Sequence, residues 1–241
     1  MSKSLRFILI LVTVLLLVIG LDFFGFELLS SSIELLIVPS VTLVYILYNK
    51  DYNKHLSYFL IVHSIANIIG LIDLDSVSNW SYYVCNILYI ISYVFLLLDF
   101  IKSLNFRLIF KEFLLYFIVL LLLDVSMIYA LAKIIQTIDF VPNSIKIIQA
   151  LEFIYHFVIV VLLSLSFLNY LQNQISKFLY LFIACVLITF SEILLNGYYY
   201  FVEDIRLNYI SIILFYSGIF VLVYSAIYNT SVSKPIPSKN F

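Results

Sequence analysis

Residues 177–198 read KFLYLFIACVLITFSEILLNGY and contain a single acidic residue, Glu192, inside an otherwise apolar run. A bilayer core about 30 Å thick needs roughly 20 apolar residues of helix. Backbone groups in lipid must be hydrogen-bonded within the protein, and this stretch lacks the polar–apolar alternation of a barrel strand. The stretch therefore predicts a transmembrane helix that carries a carboxyl group.

The whole chain has the composition of a membrane protein. Of its 241 residues, 64% are hydrophobic and 11% are charged, whereas soluble domains average about 25% charged residues. The mean hydropathy is +1.14. Eight runs reach spanning length: 5–22, 33–49, 56–73, 80–101, 111–133, 145–171, 177–198 and 208–228. We expect an all-α, polytopic helical bundle with eight transmembrane helices in one domain, residues 1–228, followed by a short polar tail, residues 229–241.

The distribution of Lys and Arg predicts the orientation of this bundle. With eight spans, ten of the thirteen basic residues fall on the side of both termini and three on the other side. Because cytoplasmic loops carry the excess of Lys and Arg, we expect both termini to be cytoplasmic and the protein to lie in the inner membrane. The net charge of -1 offers no basic surface for nucleic acid.

Three predicted spans each carry a pair of polar residues four positions apart, which places each pair on one helix face. The pairs are His63 with Asn67, Glu152 with His156, and Glu192 with Asn196. An ionisable residue within a membrane costs at least about 2.5–3.5 kcal/mol, so it is expected to face the bundle interior or a wet cavity. Ser191, beside Glu192, and Asp124, in the fifth predicted span, complete the set of candidate residues.

These candidates fall at matching depths. At about 1.5 Å of rise per residue, Asn67, Glu152 and Glu192 lie roughly 8–9 Å below the outer ends of their predicted spans. Asp124 and the two histidines, His63 and His156, lie roughly 13–15 Å below those ends. The sequence therefore predicts a polar pocket that opens toward the outer side, with carboxylates above imidazoles.

Each candidate also has a simpler interpretation. Glu152 is close enough to its helix start to extend to the interface, Asp124 can hydrogen-bond a neighbouring helix, and His156 can be a packing histidine. Neither HExxH nor CxxC occurs, so neither a metal nor another cofactor is predicted.

The seventh predicted span resembles a motif of the lysoplasmalogenase, or YhhN-like, family of eight-span membrane proteins. Its stretch ACVLITFSEILL, residues 184–195, is similar to the family motif that ends in S-D-x-x-L. Ser191 and Leu195 match that ending, and Glu192 stands where the family has Asp. The layout of spans matches along nearly the whole chain.

Other family positions differ in this chain. Asn67 follows Ala66 where the third family helix has Gly-Asp, Val38 precedes Pro39 where the second has Lys-Pro, and Ser92 stands where the fourth has His. The Gln of the eighth family helix is not evident.

The resemblance implies a lipid-active enzyme that hydrolyses the vinyl ether bond of lysoplasmalogen, with a lysophospholipid-like membrane lipid as substrate. Glu192, Asn67, Glu152 and His156 are then the expected catalytic positions, and His63, Ser191, Asn196 and Asp124 the expected substrate-binding ones. Such hydrolysis needs a proton donor and a proton acceptor. Because an amide such as Asn67 does not exchange protons in this way, either Glu152 or His156 replaces it or the activity is lost.

A non-catalytic function is the alternative. A lipid sensor or a small transporter that couples to protons through Glu192 and Glu152 would also require acidic groups within the membrane.

Overall fold

The computed structural model describes residues 3–48, 53–74, 79–135, 145–202 and 204–228, and within these ranges the chain is helical, without strands. The helices of this part are α1 (Lys3–Phe23), α2 (Glu27–Tyr48), α3 (Lys54–Ile72), α4 (Asn79–Ser103), α5 (Phe106–Glu112), α6 (Leu114–Ile135), α7 (Ile145–Asn173), α8 (Ser176–Tyr200) and α9 (Ile205–Tyr228). The predicted tail, residues 229–241, lies outside the described residues.

Seven of these helices are long and apolar enough to cross a bilayer: α2, α3, α4, α6, α7, α8 and α9. In α1, the apolar segment among the residues whose side chains are described is Leu9–Phe23. The predicted all-helical fold is thus confirmed for the described residues, and seven of the helices have the length and composition of membrane spans. The eighth span and the location of the termini stay predictions.

The second span begins earlier than the sequence suggested. The predicted run starts at residue 33, but α2 starts at Glu27 and includes three consecutive serines. Ser30 is buried, and its hydroxyl donates a hydrogen bond to the carbonyl oxygen of Val18 in α1, at 2.9 Å. Because the neighbouring helix accepts this hydrogen bond, a polar segment can continue the helix where hydropathy alone predicted a loop.

The fifth predicted run, 111–133, is divided between two helices. The short helix α5 is capped by Asn105, whose side chain accepts a hydrogen bond from the backbone N–H of Leu108, and it ends at Glu112. The membrane-crossing helix α6 starts at Leu114. The sixth, seventh and eighth predicted runs therefore correspond to α7, α8 and α9.

The bundle has two different halves along its length. The core half, which contains the connections at residues 104–105 and 174–175, is filled by apolar side chains from α2, α3, α4, α7, α8 and α9. Fully buried members include Tyr45, Phe59, Leu60, Tyr93, Leu96, Leu162, Ile188 and Leu222. The cavity half contains residues 24–26, 73–74 and 201–202, which lie at the ends of α1, α3 and α8, and here the polar residues of the spans converge.

Hydrogen bonds between side chains and backbone join α4 to α7 at the end of the core half. The amide nitrogen of Asn169 donates to the carbonyl oxygen of Phe100 at 3.0 Å, and the Ser103 hydroxyl donates to Oδ1 of Asn169 at 2.6 Å. Asn169 is 1% exposed. These hydrogen bonds therefore satisfy an amide group that would have no partner in the surrounding apolar environment.

The helices α8 and α9 form the most extensive helix pair. They approach closely at Gly218, where an added Cβ would lie 2.8 Å from Cγ1 of Ile188 and 3.0 Å from the backbone oxygen of Ala184. Small residues allow such backbone approach between membrane helices. The glycine therefore fixes the separation of two helices that both contribute to the cavity half.

Replacing Gly218 by alanine is expected to destabilise the protein by about 1–3 kcal/mol, because the methyl group overpacks the α8–α9 contact. Thermal unfolding of the purified protein measures this change. Gly20→Ala is the matched control, since no atom lies within 4 Å of the corresponding Cβ. Equal unfolding temperatures for the two variants would contradict the close approach.

Candidate functional site

A cavity of about 630 Å³ lies in the cavity half, between α2, α3, α4, α7, α8 and α9. This volume is within the usual range of small-molecule sites, about 300–1,000 Å³. The structure brings seven of the eight sequence-predicted candidates to its wall: Glu192, Asn67, Glu152, His156, His63, Ser191 and Asn196. Their proximity is therefore a structural fact, while the catalytic and binding roles assigned to them stay predictions.

Helix geometry explains why these residues meet. Glu192 lies eight residues before the end of α8 and Glu152 seven residues after the start of α7, roughly 10–12 Å from those ends at about 1.5 Å per residue. Asn67 lies five residues before the end of α3, roughly 8 Å from it. All three ends belong to the cavity half, so residues from helices that run in opposite directions reach similar levels.

Glu192 is held by a tyrosine. The Tyr155 hydroxyl, on α7, donates a hydrogen bond to Oε1 of Glu192 at 2.8 Å, and Glu192 is 8% exposed. Within the described chain, Glu192 makes no hydrogen bond to Glu152 or His156, the two partners that the sequence offered. A hydrogen bond to a buried carboxyl group offsets part of the cost of removing it from water.

His156 has protein partners on both ring nitrogens. Its Nδ1 lies 2.6 Å from the backbone carbonyl oxygen of Glu152, and its Nε2 contacts the side-chain amide nitrogen of Asn196. A carbonyl oxygen only accepts and an amide nitrogen only donates. This pattern of partners fits a ring that carries a proton on Nδ1 and accepts at Nε2 from Asn196, which orients it.

Glu152 lies nearer the mouth of the cavity. Its Oε1 accepts a hydrogen bond from the Tyr82 hydroxyl at 2.7 Å, and its Oε2 lies 3.8 Å from Nδ1 of His156. Tyr82 is 38% exposed. The carboxyl group is thus a partly exposed member of the site.

The α3 pair faces α4. The Tyr89 hydroxyl donates to Oδ1 of Asn67 at 2.8 Å, and Nδ1 of His63 lies 3.3 Å from the Ser92 hydroxyl oxygen. Ser92 uses its own proton to donate to the backbone oxygen of Tyr89 at 2.7 Å, so it accepts from the ring nitrogen of His63. The imidazole ring also stacks on Phe215 of α9, with ring centroids 5.6 Å apart.

Ser191 joins α8 to α9 and is almost completely buried. Its hydroxyl donates to the backbone oxygen of Ser211 at 2.9 Å, and the side chain is 1% exposed. This hydrogen bond gives it a structural role beside the cavity.

Asp124 is the candidate that does not line the cavity. It lies on α6, which packs chiefly against α7, and Oδ1 of Asp124 accepts a hydrogen bond from the Ser164 hydroxyl at 2.6 Å. This contact between neighbouring helices is the simpler interpretation that the sequence also allowed, and the substrate-binding role of Asp124 stays a prediction. The predicted depth of Asp124 along its helix is similar to that of the two histidines, but its side chain lies at the contact with α7 and not at the cavity.

Sequence reasoning missed several residues of the site. Glu34 of α2 lines the cavity, although the predicted run began at residue 33 and so placed this acid in the interface. Tyr89, Tyr155 and Tyr216 also line it, but tyrosines were counted as apolar. An acid seven residues into α2 is recognisable only once the true start of the helix, Glu27, is known.

The wall carries carboxyl groups and imidazoles. Three carboxyl groups line the cavity, from Glu34, Glu152 and Glu192, and no Lys or Arg of the described ranges does. Tyrosine hydroxyls donate hydrogen bonds to the carboxyl groups of Glu152 and Glu192. No group of three or more His, Cys, Asp or Glu side chains in the described part of the chain is arranged to hold a metal ion.

Comparisons with models of protein families, with curated proteins and with solved structures found no match. The resemblance to lysoplasmalogenases therefore stays a prediction from the residues of the seventh predicted span.

Tyr155→Phe is expected to lower the free energy of unfolding by about 1–3 kcal/mol, because Glu192 would lose its hydrogen-bond donor in a buried site. Thermal or denaturant unfolding in detergent measures the change. Tyr58→Phe is the control, since Tyr58 is 48% exposed.

A double-mutant cycle tests whether the loss acts through the carboxyl group. In a Glu192→Leu background, Tyr155→Phe should cost clearly less than in the original protein. Additive costs would show that Tyr155 stabilises the bundle by another contact.

Proposed function

We propose that this chain is an integral membrane lipid hydrolase that cleaves the vinyl ether bond of a lysoplasmalogen-like lipid, giving a fatty aldehyde and a glycerophospho-base. The observation that carries the proposal is the buried carboxyl group of Glu192, held by Tyr155 at the wall of a cavity that lies within apolar, membrane-crossing helices. The resemblance of residues 184–195 to the lysoplasmalogenase motif supports the same activity.

The chemistry suits a carboxylic acid in this position. Hydrolysis begins when a proton adds to the alkene carbon that is not bonded to oxygen, which leaves an oxocarbenium ion. Water then adds to the carbon next to oxygen, and the resulting hemiacetal divides into alcohol and aldehyde. Burial of a charge costs free energy, so a carboxyl group that is 8% exposed suits the role of proton donor.

An imidazole is also present near the position where the family has one. Ser92 stands in place of the histidine in the fourth family helix, and His63 of α3 contacts that serine. In this proposal His63 orients the substrate from α3 and takes the place of the missing side chain.

The shape of the site supports a lipid with one chain. The cavity is bounded near its mouth by Tyr82 and Tyr199, which are 38% and 63% exposed. Partly exposed tyrosines are typical of the membrane–water interface. The head group would lie near these rings, and the chain would leave the cavity between helices into the lipid.

The location follows from the basic residues. The excess of Lys and Arg on the side of the core half supports an inner-membrane protein with both termini in the cytoplasm. The cavity would then open on the opposite side of that membrane.

A non-catalytic function is the second candidate. Asn67 replaces a family acid, and three carboxyl groups share a cavity whose described wall contains no Lys or Arg. Such acidic groups within a membrane are also typical of proton-coupled transport. A small transporter or lipid sensor would use Glu192 and Glu152 for proton or ligand binding without chemical change.

Purified protein in detergent or nanodiscs is expected to release fatty aldehyde from lysoplasmalogen, and Glu192→Gln is expected to lower the rate by about 10²- to 10⁴-fold, the usual contribution of a general acid. Glu112→Gln, at the exposed end of α5, is the control and should retain the rate. Aldehyde release from the Glu192 variant at the original rate would remove this residue from the mechanism. No release from the original protein would favour the non-catalytic function.

A further inference from the structure

The hydrolysis also needs a group that accepts a proton from the attacking water, and several polar residues of the cavity are candidates. Asn67 has an amide, which does not exchange protons in the required way. Both nitrogens of His156 are occupied, by the Glu152 carbonyl oxygen and by Asn196. These two groups are therefore poorly placed to take a proton from water.

Glu152 accepts a hydrogen bond at one carboxyl oxygen, from the Tyr82 hydroxyl at 2.7 Å. Its other carboxyl oxygen lies 3.8 Å from Nδ1 of His156. The residue is close to the partly exposed mouth. Its arrangement suits an entrance group better than a group that contacts a buried reacting atom.

Glu34 reaches the cavity from α2, on a different side from α7. It lies seven residues after the start of its helix, roughly 10 Å from that end at about 1.5 Å per residue. Glu192 lies eight residues before the end of α8, at a similar level. Glu34 and Glu192 both line the cavity, on helices that bound it from different sides.

A tyrosine hydroxyl lies beside each of the two glutamates, but the two contacts differ. The Tyr216 hydroxyl donates to the backbone oxygen of Glu34 at 3.0 Å and lies 3.4 Å from its Oε1, whereas the Tyr155 hydroxyl donates to Oε1 of Glu192 at 2.8 Å. In each case, the second carboxyl oxygen makes no hydrogen bond within the described residues. Glu192 is thus fixed at one oxygen, and the carboxyl group of Glu34 is the less engaged of the two and is open to a ligand or water in the cavity.

We propose that Glu34 is the second carboxyl group of the hydrolysis, the one that accepts a proton from the attacking water. This inference rests on the proposed function. It assigns to α2 the acid–base role that the sequence resemblance places on α3, where this chain has Asn67.

The protons balance with these two groups alone. Protonated Glu192 gives its proton to the alkene carbon, and water adds to the oxocarbenium carbon while ionised Glu34 takes one water proton. When the carbon–oxygen bond of the hemiacetal breaks, Glu34 returns that proton to the leaving alcohol oxygen. The hemiacetal hydroxyl gives its proton to Glu192, which restores both starting states and releases the aldehyde.

The test compares aldehyde release from lysoplasmalogen by the full-length protein and by Glu34→Gln. The variant is expected to lose about 10²- to 10⁴-fold in rate, as for other general bases. Glu27→Gln is the matched control on the same helix, because Glu27 is exposed at the start of α2 and does not line the cavity. Thermal unfolding of each variant reports whether it is folded.

Chemical rescue separates a proton acceptor from a structural residue. Formate added to Glu34→Ala should restore part of the lost rate, because a small carboxylate can occupy the vacated space, whereas Glu152→Ala should not be rescued. If Glu34→Ala is folded and formate restores none of its activity, the assignment is overturned. A rate for Glu34→Gln within twofold of the original protein would also overturn it. Inactivity of the original protein would overturn the proposed function and this inference together.

Discussion

The structure depends on one constraint, that a polar side chain within the hydrocarbon of a membrane must find its partner inside the protein. Glu192 receives a hydrogen bond from Tyr155, and Asn67 receives one from Tyr89. Each bond crosses from one helix to another. The polar groups therefore do two things at once: they hold α3 to α4 and α7 to α8, and they form the wall of the cavity.

Tyrosine is the residue that makes this arrangement possible without basic side chains. Its ring packs among apolar residues, and its hydroxyl donates one hydrogen bond at the far end. Tyr82 and Tyr155 each donate to a glutamate carboxyl group in this way, and Tyr216 donates to the backbone oxygen of Glu34. A lysine or arginine in the same place would neutralise the carboxyl group and bind it more strongly, whereas a tyrosine hydroxyl leaves its charge and proton available to a ligand.

Much of the architecture follows from the sequence because hydrophobic run length is a direct consequence of membrane thickness. Seven spans, and the convergence of Glu192, Asn67, His63 and their four-residue partners, could be predicted from run boundaries and the rise of a helix. The positions of three residues relative to the cavity could not be predicted. Glu34 lies at the cavity because α2 starts early, which the hydrogen bond of Ser30 permits. Tyr155 contributes a hydroxyl group that hydropathy does not take into account, and the position of Asp124 depends on which face of α6 packs against α7.

The division of the bundle into a core half and a cavity half has a consequence for sequence divergence. Apolar packing and polar contacts occupy opposite ends of the same helices, so a substitution at the open end leaves the apolar packing of the core half unchanged. A substitution that keeps the hydrogen bonds between helices can then alter the chemistry of the cavity wall, whereas one that removes such a bond also weakens a helix pair.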